Sequence, residues 1–124
     1  MLRQFLMAKI HGGTVTRCDL NYEGSCGLGE ELLQASGIRP LEKVLVLNVS
    51  TGNRLETYAI RSATRGEIAL NGAAARYASP GDKVIIIAFA ILSDSEIATH
   101  RARILILNDR NQIKSAKLQR VSAR

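Results

Sequence analysis

A Gly-Ser peptide bond carries the means of its own rearrangement. In Tyr22-Glu23-Gly24-Ser25-Cys26, the Ser25 hydroxyl can attack the carbonyl just before its own nitrogen and convert the peptide into an ester. Gly24 has no side chain to block that approach, and glycine tolerates strained backbone angles. β-Elimination from the ester releases Gly24 as a carboxylate and leaves dehydroalanine at position 25. Dehydroalanine hydrolyses to a pyruvoyl group and ammonia. The oxyanion formed on the way needs fixed donors, supplied by backbone N–H groups or an amide side chain. Taken alone, a Gly-Ser pair reads as a turn, so its meaning depends on its company.

Other routes to catalysis are poorly represented. His11 and His100 are the only histidines, and neither sits in HExxH or beside a nucleophile elbow. There is no Walker loop and no GxGxxG. Cys18 and Cys26 form neither CxxC nor a four-ligand set, which argues against structural zinc. A disulfide is not expected in the cytoplasm, where the chain is placed because its N-terminus has no signal-peptide pattern. The longest apolar run, Val84 to Leu92, is too short for a membrane helix and fits a buried strand.

The 124 residues make one domain's worth of chain, with 46% hydrophobic and 23% charged residues. The net charge of +6 is unevenly placed. Residues 1–99 balance, whereas about 100–124 carry Arg101, Arg103, Arg110, Lys114, Lys117, Arg120 and Arg124 against Asp109 alone. Such a basic segment can contact nucleic acid. No aromatic follows Phe89 to stack on bases, so a solvated or interface-packed tail is the favoured reading.

The elements that must position Ser25 are mostly strands. Leu2 to His11 alternates, with Arg3, Phe5, Met7, Lys9 and His11 on one face. Val15 to Leu20, Ile68 to Leu70, Lys83 to Leu92 and Arg103 to Leu107 are further strand candidates. Lys43 to Val49 and Arg54 to Arg61 flank the turn Ser50-Thr51-Gly52-Asn53 and read as a hairpin. Glu30 to Ser36 reads as a helix, with acidic residues at its start and Gly37 as its stop. A second helical turn covers Ala73 to Tyr77. Many short strands with one or two short helices predict a mainly-β fold closed into a small barrel.

Three further stretches change the odds for Gly24-Ser25. Tyr22-Glu23-Gly24-Ser25, Thr57-Tyr58-Ala59-Ile60 and Asn71-Gly72-Ala73-Ala74-Ala75, with Lys9, His11 and Arg54, occur in an order and spacing that resemble the bacterial aspartate α-decarboxylases. The resemblance spans residues 1 to about 100 and excludes the basic segment. It implies a double-psi β-barrel, usually a homotetramer with active sites between neighbouring subunits. It implies self-cleavage between Gly24 and Ser25, a pyruvoyl group derived from Ser25, and conversion of L-aspartate to β-alanine. Some relatives need a helper protein to mature. By resemblance, Tyr58 is the catalytic acid. Lys9, Arg54, Thr57, Gly72, Ala73 and Ala74 contact substrate. Thr57 and Asn71 assist processing, and His11 and Tyr22 line the pocket. Gly12-Gly13 stands where the family often has Arg after its histidine.

Elementary chemistry agrees with several of these roles. A dicarboxylate wants cations, and arginine can grip a carboxylate with two parallel hydrogen bonds. A tyrosine near a developing carbanion is a plausible general acid. Alternation puts Arg54, Glu56 and Tyr58 on one strand face and Thr57 on the other. Against this stand a basic β-barrel module that binds nucleic acid and an inactive oligomeric scaffold. Either would leave the chain uncut.

Overall fold

The computed structural model describes residues 1–122 of the uncleaved chain. The elements in chain order are β1 Leu2–Thr14, β2 Arg17–Asp19, β3 Ser25–Gly29, α1 Glu30–Ser36, β4 Lys43–Asn48 and β5 Arg54–Ser62. There follow β6 Ile68–Asn71, a 3-10 turn Gly72–Tyr77, β7 Lys83–Ser93, α2 Asp94–Ile97, β8 Arg101–Leu107 and β9 Ile113–Arg120. The strands lie in the order β2-β6-β3-β5-β4-β7-β1-β8-β9. Most neighbours are antiparallel, but β1 and β8, β2 and β6, and β3 and β5 run parallel.

Polar contacts tie the turns between these strands together. Asn111, in the β8–β9 turn, accepts the Thr14 amide at 2.8 Å and donates to the Thr14 and Gly66 carbonyls at 2.8 and 2.7 Å. Val15 accepts the Gly81 amide at 2.8 Å and donates to the Asp82 carbonyl at 2.9 Å. The result is a mainly-β, barrel-like fold. Its inner face holds one apolar cluster that includes Ile10, Cys26, Leu28, Val46, Ile68, Leu70 and Ile86. Each large aliphatic side chain removed from water there contributes roughly 1.5–3 kcal/mol.

Register decides which side chains face outward. Ile10, Ile86 and Val46 lie in one inner row across β1, β7 and β4. The next row, Lys9, Ile87, Leu45 and Glu56, therefore faces out. Gly12-Gly13 sits at a break in the β1–β7 register, and Gly12 has φ of 80°. The pair forms a bulge.

Helix α1 ends where expected, with the Gly37 amide donating to the Leu33 carbonyl at 2.9 Å. The basic segment is a hairpin, not a loose tail. β9 pairs with β8 from Ile113 to Arg120 and forms an exposed sheet edge. Of the segment expected at about 100–124, residues 123 and 124 lie outside the described residues.

Candidate active site

Ser25 opens β3 and is almost fully buried, at 1% exposure. β3 reads Ser-Cys-Gly-Leu-Gly, which has little strand propensity of its own. Its neighbours hold it extended. Ser25 faces Asn71 and Cys26 faces Leu70 on antiparallel β6, while Cys26 pairs with Ala59 on parallel β5. Alternation sends Cys26 and Leu28 into the core, so Ser25 and Gly27 point to the opposite, outer face.

The Ser25 hydroxyl is held from two sides. It accepts a hydrogen bond from Asn71 Nδ2 at 3.0 Å and donates to the Glu23 carbonyl at 3.1 Å. Its oxygen is thereby fixed next to the bond it would attack. Asn71 itself is 1% exposed, and its Oδ1 has no hydrogen-bond partner among the described residues. An unsatisfied buried oxygen costs about 1–3 kcal/mol, a cost that points to a role beyond packing. A small keto group formed at residue 25 fits this corner, because Asn71 already presents an amide N–H to that side chain.

Glycine freedom matters here, but at a different residue from the one the sequence suggests. Gly24 does not have a positive φ, and a Cβ on it would meet only the Asn71 carbonyl oxygen, at 4.0 Å. Gly72 has φ of 62°. A Cβ there would fall 2.7 Å from both the nitrogen and Cα of Gly24 and 3.0 Å from the Tyr22 carbonyl oxygen. All three contacts are backbone and cannot swing aside.

The β3–β5 register runs through Cys26 and Ala59. Carried one residue back, that register sets Ser25, the first residue of β3, beside Tyr58 on β5. Tyr58 is half-buried and shares the outer face with Ser25. Thr57 points the other way, opposite buried Val44, as alternation expects. Tyr22 is half exposed, at 52%. It lines a depression of about 270 Å3 together with Gly27, Ile60, Arg61, Ala69 and Asn71. Ala74 is buried and Ala73 exposed on the 3-10 turn.

Lys9 and His11 are elsewhere in the protomer. Lys9 is half-buried and His11 exposed, and both lie on the outer face of β1. Strands β7, β4 and β5 separate β1 from β3. Those four strand steps are roughly 19 Å along the sheet at about 4.8 Å each. Arg54 is exposed at the start of β5, opposite Leu47. A single protomer thus brings Gly24, Ser25, Asn71 and Gly72 together, with Tyr58 on the neighbouring strand, and leaves Lys9 and His11 apart from them.

One neighbour escaped sequence reasoning. Lys43 stands directly opposite Tyr58 and forms an ion pair with Glu56 at 2.8 Å. The hairpin turn at 50–53 was the available signal, since counting back from it pairs the two. Cys26, beside Ser25, is no competing nucleophile. Burial pushes its thiol up to about 12, so it stays protonated. The Cys18 thiol is also raised, by burial first and by Asp82 second.

The sequence model of the aspartate decarboxylase family matches residues 1–114. The chain belongs to the aspartate decarboxylase family. It is 48% identical over 118 residues to the aspartate 1-decarboxylase of Ralstonia nicotianae, covering 94% of this chain and 98% of that one. It is 50% identical over 115 residues to the aspartate 1-decarboxylase of Desulfotalea psychrophila, covering 92% and 97%. The Bordetella avium aspartate 1-decarboxylase is 46% identical over 118 residues, covering 94% and 97%. The family match ends within β9, so Lys117 and Arg120 lie beyond it.

Proposed function

We propose that the chain cuts itself between Gly24 and Ser25, turns Ser25 into a pyruvoyl group, and decarboxylates L-aspartate to β-alanine and carbon dioxide. The observation that carries this reading is the buried Ser25 hydroxyl, which takes a hydrogen bond from Asn71 Nδ2 while pointing at the Glu23 carbonyl. In the first step the Gly24 carbonyl carbon bonds to Ser25 Oγ and its bond to Ser25 N breaks. The hydroxyl proton ends on the freed amine. Elimination then removes the Ser25 α-proton and expels the Gly24 carboxylate. Water replaces the nitrogen, which leaves as ammonia. Asn71 holds the attacking oxygen, and Thr57 assists from the β5 side of Gly24.

A pyruvoyl group at position 25 supplies an electron-withdrawing carbonyl that can hold the substrate amine and draw off the electrons left by carbon dioxide. Asn71 and the Gly72 backbone would hold it. Arg54 and Lys9 bind the carboxylate that is retained, and Tyr58 returns a proton to the carbon that lost its carboxylate. Gly72, Ala73 and Ala74 form the floor under the substrate, and His11 and Tyr22 line its sides.

Lys9 cannot reach position 25 of its own chain across four strands, so we infer that neighbouring copies complete each site, in a homotetramer. The outer face of β1, β4 and β7 suits such contacts. It exposes Leu2, Phe89 and Ile91. A groove of about 280 Å3 there is lined by Gln4, Leu45, Ile87, Phe89 and Ile91 with the Lys43–Glu56 pair. A cytoplasmic location and a maturation helper belong to the same reading.

The test is turnover in deuterium oxide. L-Aspartate incubated with the purified protein should give β-alanine with one deuterium on the carbon beside nitrogen, read by NMR. Unchanged aspartate from a fully cleaved sample contradicts the reading.

A further inference from the structure

We infer that Gly72 is a positioning residue for self-cleavage: its backbone is the seat against which Gly24 is held while Ser25 attacks. This rests on the proposed cleavage at Gly24-Ser25 and adds the element that aims it.

Three observations converge on Gly72. Its φ of 62° lies in the left-handed region that disfavours side chains. It is buried at the first position of the 3-10 turn, directly after Asn71, whose amide holds the Ser25 hydroxyl. The space a Cβ would need is already filled by Gly24 N, Gly24 Cα and the Tyr22 carbonyl oxygen, at 2.7, 2.7 and 3.0 Å. One two-residue unit therefore fixes both reactants. Asn71 fixes the oxygen that attacks, and Gly72 fixes the residue whose carbonyl is attacked.

The acyl shift is an isomerisation with no outside reagent, so its rate depends on how closely oxygen and carbonyl carbon are held in line. A methyl group at position 72 would push the Gly24 backbone away by a sizeable fraction of an ångström. Ser25 Oγ, anchored from the other side by Asn71, would not follow. Gly24 itself is less constrained, since open space surrounds its Cβ position.

The experiment compares Gly72→Ala, Gly72→Asn and Gly66→Ala with the wild type, all as full chains. Gly66 is a fair control, because its φ is 73° and its Cβ would meet the Arg110 carbonyl oxygen at 3.2 Å. That places the same left-handed backbone and a milder backbone clash far from Gly24. Cleavage is followed by denaturing mass spectrometry, ester by hydroxylamine trapping, and folding by circular dichroism and thermal melting.

Gly66→Ala should melt lower and still cleave. Gly72→Ala should fold, yield no hydroxylamine-trapped ester and cleave at least about a hundredfold more slowly. Gly72→Asn tolerates the left-handed backbone but keeps the clash, so it should fail equally. Cleavage of Gly72→Ala within a few-fold of wild type overturns the inference. So does rescue by Asn, loss of cleavage in Gly66→Ala in step with its melting point, or global unfolding of Gly72→Ala. A wild-type chain that stays whole in the same preparation refutes the cleavage reading itself, and the inference with it.

Discussion

The corner around Ser25 and the outer face around Lys9 are built in opposite ways. At the corner, Ser25 and Asn71 are nearly inaccessible, joined at 3.0 Å, and hemmed in by a backbone contact that permits only glycine. On the outer face, the cations assigned to substrate stand on separate strands, open to solvent or half-covered. The contrast separates two jobs. Cutting the chain needs groups that one protomer holds at close quarters. In the proposed reading, binding a dicarboxylate draws on groups that one protomer leaves dispersed and that a neighbouring copy would bring in.

If this division is right, substitutions at the corner should stop maturation, and substitutions on the face should spare it. The largest effect belongs to Ser25→Ala, which should abolish both cleavage and carbon dioxide release, because no other residue can supply the oxygen. Asn71→Ala removes the donor to that oxygen. Cleavage, timed by gel or mass, should slow by roughly ten- to a hundredfold while the fold persists.

Lys9→Ala and Arg54→Ala sharpen the comparison from the other side. Both should cleave at the wild-type rate, yet lose roughly ten- to a hundredfold in kcat/KM for aspartate, as expected for charged hydrogen bonds to a carboxylate. Mixing the Lys9→Ala chain with a Ser25→Ala chain, each inactive or weak alone, should recover activity in mixed assemblies. Failure to recover would place the Lys9 contact within one chain.

The smallest effect concerns Cys26. Its thiol is raised from an ordinary 9.0 to about 12 by burial. The folded chain therefore holds its proton where the unfolded chain releases it. Stability should be unaffected by this group below pH 9.0 and should fall as pH rises from there toward about 12. Cys26→Ala should flatten that part of a urea-unfolding series against pH.

Much of this was legible in the sequence where local pattern and tertiary demand agree. Glu30 to Ser36 has the acidic start and glycine stop of a helix and forms one. Lys43 to Asn48 and Arg54 to Ser62 form the expected hairpin, with Arg54, Glu56 and Tyr58 on one face. Elsewhere the pattern is silent. Ser25 to Gly29 carries two glycines and no β-branched residue, and is a strand only because β5 and β6 enclose it. Ile113 to Arg120 mixes polar and apolar residues on both faces and is almost wholly exposed as an edge, so alternation could not reveal it. Gly24 drew the conformational argument through its place in the cleaved bond. The constraint on Gly72 arises from a contact 48 positions away in sequence number, which no local pattern encodes.

What decides whether Ser25 is a nucleophile or merely a buried serine is the intact mass of the purified, fully denatured protein. Self-processing requires two species split after Gly24, the larger lighter by one ammonia than plain hydrolysis would leave it, and reactive toward a keto-specific hydrazine. A single full-length mass in a sample that still turns aspartate into β-alanine would contradict the proposed chemistry at position 25.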